Sequence, residues 1–382
     1  MKIFAFHLLN DYSGSPKVLM QLLKAWANEG LDVTMVTCAG KEGFLSNLEH
    51  IQYRYFWYQW AANPFIRLFN LCMSQFLLLV QMILVVRKED ILYVNTVLPF
   101  GAAVLGKIKG CRVIYHIHET SVKPPLFKKI LFGIVRWAAY DVVYVSKYVA
   151  NQERVEAKNT YILHNAIENE FIETAVAQRK AKVPDGRVLM VCSLKVYKGV
   201  FEFVELAKRH SEYRFRLVVN ADQEALDLFF EGTTLPQNLE VFPTQKDVHP
   251  FYQWADVILN LSRPDGWVET FGLTILEGMA YGLPAIVPPV GGITELVENQ
   301  KNGFQVDSRR PQVLSEKLRE ILSNPSFYAQ LQAFALYKIN FFKEDIFIRQ
   351  SLRIFQQSNK TFNKSDLSTN LEPTTSQSIL KD

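Results

Sequence analysis

The stretch "GWVETFGLTILEGMAYGLPAIVPPVGG", residues 266–292, holds two carboxylates, Glu269 and Glu277, with seven residues between them. Glu269 precedes an apolar, helix-like run and Glu277 lies inside it. The helix is expected to begin near Thr270–Gly272 and to stop at Gly282, with Pro284 just beyond. The first amides of such a helix have no intrahelical acceptor, and its dipole makes that end an anion site. Gly272 lets a ligand approach the backbone closely, so "ETFGLT" fits a diphosphate. Glu277, one and a half turns on, would reach past that anion towards vicinal hydroxyls such as those of a ribose, and Glu269 would face the other end of the same ligand. Taken alone, two such glutamates would read as a loop charge and a solvated helix face. The order of strand, loop, "FG" turn, helix, Gly-Leu-Pro stop, buried strand and "GG" favours the site.

Positioning these groups takes a scaffold, and the pattern supplies one. The first half alternates short apolar strands ("KIFAFHLL", "DVTMVT", "ILYVNTV", "RVIYHIH", "DVVYVS") with helical stretches, which implies a parallel, doubly wound sheet. The helix "SPKVLMQLLKAWANEG" carries Pro16 near its start and Gly30 past its end. The second half repeats the logic from "VLMVCSL" onward, and helices are expected over 310–323, 326–338 and 343–357. The chain has 382 residues, too many for one core. The reading is therefore α/β, two Rossmann-like domains facing a cleft: 1–170 and 171–341, with a helix at 342–357 packing back on the first domain, and a disordered polar tail at 358–382. The boundary falls within 165–185. Ligands of such sheets bind beyond the carboxyl ends of the strands.

Composition narrows the function classes. Hydrophobic residues are 49% and charged residues 21%, a globular balance, and the net charge of +4 is too weak to argue for nucleic acid. Residues 1–170 hold 18 Lys/Arg against 13 Asp/Glu, so the basic surplus lies in the first half. Cys38, Cys72, Cys111 and Cys192 are scattered, which suggests neither a zinc site nor a redox pair. The opening "MKIFAFHLLNDYSG" reads as a first strand and not as a signal peptide. Leu68–Lys88 is apolar but interrupted by Asn70, Ser74, Gln75 and Gln81, and is read as a largely buried helix in preference to a membrane span.

The segment from Ser262 to Val306, "SRPDGWVETFGLTILEGMAYGLPAIVPPVGGITELVENQKNGFQV", resembles the signature of family 4 retaining glycosyltransferases, which have the two-domain GT-B fold. The E-x7-E spacing, "FG" turn, "EGMAYGLP" helix end, "GG" loop and "NGF" turn occur in order, with weaker agreement up to about residue 357. The resemblance implies sugar transfer from a nucleotide sugar with retention at the anomeric carbon, and no required metal or other cofactor. It implies that Glu277 holds the donor ribose, that Glu269 contacts the donor sugar, and that the backbone at Phe271, Gly272 and Leu273 binds the diphosphate. "VCSLKVYKGVFEF" is similar to the family's G-R-L-x3-K-G segment: Lys198 matches its lysine, which would stabilise the departing diphosphate. Ser193 replaces its arginine, and Lys195 or Arg263 is the expected substitute for that charge. "NDYSGSPKVL" resembles the family's Gly-Gly loop and places Gly14 and Ser15 near the donor phosphate or the acceptor. His118 in "YHIHET" matches a position lining the active site. His164 and Asn165, in the hinge-like "ILHNAIENEF", read as structural.

Residues 121–137, "SVKPPLFKKILFGIVRW", interleave Lys123, Lys128, Lys129 and Arg136 with Leu, Phe and Trp. Such a stretch can lie on an anionic membrane or be a packed surface helix. The expected partners are a nucleotide sugar and a glycan or lipid-linked acceptor of cell-surface polysaccharide synthesis, with no nucleic acid. The expected location is the cytoplasm, peripheral on the inner face of the membrane. Two rivals stay open: a non-catalytic glycosyltransferase-like subunit, and another GT-B enzyme such as a nucleotide-sugar epimerase.

Overall fold

The computed structural model describes residues 1–179 and 183–356; the expected tail at 358–382 lies outside them. Strands β1 (Ile3–Phe6), β2 (Val33–Cys38), β3 (Gln52–Phe56), β4 (Ile91–Asn95), β5 (Arg112–Ile117), β6 (Asp141–Tyr144) and β7 (Asn159–Ile162) form one sheet in the order β3-β2-β1-β4-β5-β6-β7. Helices α1 (Gly14–Asn28), α2 (Pro64–Met82), α3 (Phe100–Lys109), α4 (Pro125–Ala138) and α5 (Lys147–Gln152) connect them, and α6 (Asn169–Gln178) leads out. Strands β8 (Arg187–Ser193), β9 (Arg214–Asn220), β10 (Leu239–Phe242), β11 (Val257–Leu259), β12 (Ala285–Val287) and β13 (Gly303–Gln305) form a second sheet, ordered β10-β9-β8-β11-β12-β13. Its helices are α7 (Val200–Arg209), α8 (Gln223–Phe229), α9 (His249–Trp254), α10 (Leu273–Ala280), α11 (Pro311–Ser323) and α12 (Pro325–Lys338), and α13 (Glu344–Gln356) closes the described chain.

Every strand pairing is parallel. Parallel sheets need helices on both faces, so their strands bury both sides and read as unbroken apolar runs; β1, β2, β4 and β6 are buried at every residue. Strand β3 escapes sequence reading because "QYRYF" at the sheet edge is mostly exposed. The order reverses between β1 and β4 in the first sheet and between β8 and β11 in the second. Those two switch points open crevices at the strands' carboxyl ends, and the loops after these four strands carry the residues of interest.

One expectation is corrected. Helix α2 is not largely buried. Leu71, Ser74, Gln75, Leu78 and Met82 are its buried residues, whereas Phe65, Phe69, Phe76 and Val80 are exposed. Its apolar residues go all round the helix, so periodicity could not tell an inner face from an outer one. Within 165–185, where the boundary is expected, α6 carries the chain from the first sheet towards the second and buries Ala175. Helix α13 packs on α1: Trp26 Nε1 donates to Ser351 Oγ at 3.2 Å and its ring meets Phe355 edge-on at 4.9 Å.

Candidate active site

Glu269 lies in the loop after β11, and Lys198 ends the short 3-10 turn after β8. Their side chains form a direct ion pair, and Ser262 Oγ donates to the same carboxylate oxygen at 2.8 Å. Burial pushes the Glu269 carboxyl up, but Lys198, Ser262 and Asn260 outweigh it and hold it below the usual carboxylate range. The Lys198 ammonium also lies 5.2 Å from the centre of the Trp267 ring. A cation and an anion are thus held together at the switch point, each partly shielded from water.

The backbone then turns through Phe271 and Gly272 into α10. Gly272 has φ +107°, and a Cβ there would lie 2.8 Å from Ile293 Cγ1, so only glycine fits. The "GG" loop packs beneath the same turn: a Cβ on Gly292 would sit 1.9 Å from the Thr270 carbonyl oxygen. The Phe271 side chain is core, leaving only its backbone to the crevice. Helix α10 opens at Leu273, whose first amides lack acceptors behind them.

Glu277, on α10, is buried but not orphaned. Tyr252 OH donates to its Oε2 at 2.7 Å, and Lys17 Nζ of α1 meets its Oε1 at 2.8 Å from the other domain. The Lys17 ammonium lies 3.9 Å from Glu168 as well. Burial pulls its pKa down, but the two glutamates win and raise it above the ordinary lysine value. A carboxylate offers about four lone-pair sites, so Glu277 keeps capacity for two hydroxyl donors.

The first domain brings α1 against this helix. A Cβ on Gly14 would stand 3.6 Å from Leu273 Cδ1, so the α1 and α10 N-termini face each other across the cleft. The Ser15 carbonyl accepts from Asn95 Nδ2 at 3.2 Å, and Asn95 Oδ1 meets His118 Nε2 at 2.8 Å. Because Ser15 offers only an acceptor, the Asn95 amide nitrogen must face it and the oxygen must face His118. His118 Nε2 therefore carries the proton, and Nδ1 is the free acceptor. Burial, helped by neighbouring His116 and His7, pulls the His118 pKa well below its ordinary value. It is a neutral hydrogen-bonding group and not a proton reservoir. His116 bonds to Tyr93 OH at 2.8 Å and lies against His118, with ring centres 4.2 Å apart and the planes tilted by 49°.

Not every expected residue joins. Arg263 turns away: its guanidinium lies near Asp265 and Glu202, at 3.4 and 3.8 Å. Lys195 is exposed before the 3-10 turn. Neither makes an ion pair with Glu269, whose one cationic partner among the described residues is Lys198. His164 bonds to Glu295 at 2.8 Å, and Glu295 also accepts the Lys147 and Tyr148 amides, so this contact ties the domains at the hinge. Sequence reading missed Lys17, Tyr252 and Asn95. Lys17 lies 260 positions from Glu277, and nothing local signals their pairing.

Residues 12–171 match the family described as Glycosyltransferase Family 4, and residues 171–336 match Glycosyl transferases group 1. The chain belongs to the family 4, group 1 glycosyltransferases. It is an enzyme of the transferase class with a GT-B fold. An uncharacterised glycosyltransferase of Haemophilus influenzae is 21% identical over 87% of this chain and 93% of its own length. Among solved structures, Anabaena HepE, crystallised with UDP and glucose, superposes with a TM-score of 0.74 at 18% identity, covering 94% of this chain and 100% of HepE. The sucrose-phosphate synthase of Thermosynechococcus elongatus gives a TM-score of 0.75 at 17% identity, over 94% and 99% of the two chains. At such identities these likenesses speak to the fold of the glycosyltransferase.

Proposed function

We propose that this glycosyltransferase moves a sugar, with retention, from a nucleotide-sugar donor to a glycan or lipid-linked acceptor in cell-surface polysaccharide synthesis, working in the cytoplasm at the inner face of the membrane. The observation that carries this reading is the convergence at one switch-point crevice of the Lys198–Glu269 pair, the α10 N-terminus and Glu277. In this reading Glu277 takes the ribose hydroxyls, and the amides from Phe271 to Leu273 take the diphosphate. Glu269 and His118 Nδ1 hold hydroxyls of the sugar, and Gly14 and Ser15 line the opposite wall.

The bond between the anomeric carbon and the phosphate oxygen breaks, and the nucleoside diphosphate leaves with the electron pair. Lys198 and the helix terminus meet the charge that develops. The acceptor hydroxyl attacks the same face, and its proton passes to the departing phosphate oxygen. Retention by this route needs no covalent nucleophile and no metal. Packing of the two domains across the crevice keeps water from competing for the sugar.

A panel of UDP-, GDP-, ADP- and dTDP-sugars in thermal unfolding tests the reading, since a ligand bound only to the folded state raises the melting temperature. One nucleotide class is expected to stabilise the wild type and not Glu277→Ala. Equal response of the two proteins would sink it. Ser193 and the turned-away Arg263 favour one alternative, a non-catalytic subunit, which would bind donor without ever releasing nucleotide when acceptor is added.

A further inference from the structure

Helix α2 is apolar and long enough to cross a bilayer by length and composition, yet the polar groups interrupting it tie it to the domain along its length. Asn70 donates to the Gln59 carbonyl and Gln81 to the Tyr55 carbonyl, at 2.9 and 3.1 Å. Gln75 Oε1 accepts the Gly101 amide at 3.1 Å, and Ser74 bonds within the helix. A helix so tethered lies along the protein surface and cannot span a membrane. Its outer stripe runs Phe65, Phe69, Met73, Phe76, Val80 and on to Leu84, with Phe65 83% and Leu84 94% exposed. Soluble monomers rarely leave so continuous an apolar surface open.

We propose that this face of the first domain rests on an anionic lipid surface, with the α2 stripe buried in the headgroup–acyl boundary. The inference rests on the membrane-peripheral part of the reading above and widens the contact from residues 121–137 to a surface centred on α2. Charge is the first argument. Residues 50–88 contain no Asp or Glu, and Arg67 near the helix start and Arg54, Arg87 and Lys88 towards its end would meet lipid phosphates. Aromatic placement is the second: Trp57 and Trp60 are exposed in the loop that leads into the helix, and Arg67 sits 5.7 Å from the Trp60 ring centre. Such amphipathic rings favour the membrane–water interface. Breadth is the third. Helices α3 and α4 pack alongside in sequence and add exposed Ile108, Ile130 and Trp137, with Lys107 over the Trp137 ring at 5.9 Å. A surface three helices wide suits a plane of lipid better than it suits a single peptide. The basic residues of 121–137 contribute less than their number suggests, because Lys128 is held by Glu153 and the Thr120 carbonyl.

Flotation of the full chain with phosphatidylcholine vesicles, with and without phosphatidylglycerol, tests this. The wild type is expected to float with the anionic vesicles, less in high salt. Phe69→Asp/Phe76→Asp is expected to lower that partition by more than about tenfold. Both positions are exposed, so an unchanged melting temperature certifies folding, and Leu84→Asp provides a second variant should the pair misfold. Flotation unaffected by the variants, or no flotation of the wild type, overturns the proposal. So does a wild-type dimer in light scattering that the variants convert to monomer, which would assign the face to a second copy. Nucleotide-sugar binding measured on the same samples separates the two readings. Its absence would sink the donor assignment and leave the lipid result standing.

Discussion

Lys17 Nζ and Glu277 Oε1 meet at 2.8 Å, joining a helix of the first domain to a helix of the second through the carboxylate assigned to the ribose. The pair is neither surface nor core: the two side chains are 22% and 11% exposed. Removing the lysine strands a partly buried anion that keeps only Tyr252 and whatever water enters.

Lys17→Ala is therefore expected to destabilise the chain by about 2 kcal/mol, between the exposed and fully buried cases. Glu277→Gln in the same chain should recover most of that loss, because a neutral amide needs no counter-charge. The check is a double-mutant cycle in denaturant. Strictly additive losses would show that the pair does not couple the domains.

The Lys198–Glu269 pair makes a different prediction, in turnover. Lys198→Ala removes the only cation paired with Glu269 among the described residues, and with it the charge that would meet the leaving diphosphate. Donor turnover is expected to fall at least about a hundredfold, with a much smaller change in donor affinity. A loss confined to KM would mean that Lys198 merely binds.

All the strands but β3, the two sheets and the E-x7-E segment were legible in the sequence because each is a local pattern. Buried parallel strands are apolar runs, and the glycines at 272, 291 and 292 are forced within one loop cluster, Gly272 by its positive φ and the Ile293 side chain, Gly291 and Gly292 by the Glu269 and Thr270 carbonyls. The partners that complete the site were not. Lys17, Tyr252 and Asn95 reach their targets across 260, 25 and 23 positions, and a hydrogen bond at such separation leaves no periodicity behind. Helix α2 was misread for the opposite reason. Its composition is that of a core element, and burial is decided by what packs against it.

Asn95 is a positioning residue whose effect should appear in a pH profile. Asn95→Asp places an anion beside His118 Nε2 and a carboxylate oxygen against the Ser15 carbonyl. The anion favours imidazolium, so the His118 pKa rises and Nδ1 turns from acceptor to donor over a range where the wild type stays neutral. The rate should then fall as pH drops from 7 to 5 in the variant, by about tenfold more than in the wild type. A loss equal at every pH would reduce Asn95 to a structural role.

Glu119 gives the last prediction. Burial raises its carboxyl to about 7, against the opposing hydrogen bonds from the His118 and Val97 amides and the Thr96 side chain. Between the ordinary value of 4.5 and about 7 the folded chain holds a proton that the unfolded chain has released. Stability from this group is complete below 4.5 and is lost as pH climbs through 7. Burial lowers His7 to about 4 and His116 to about 3, which gives the opposite slope below 6.5. Glu119→Gln keeps those histidines and removes the carboxyl, so their contribution cancels in the comparison. The variant should match the wild type at pH 4.5 and exceed it by about 2 kcal/mol at pH 8, measured by denaturant unfolding. A difference that does not change with pH would mean that Glu119 titrates as an ordinary, water-exposed carboxylate.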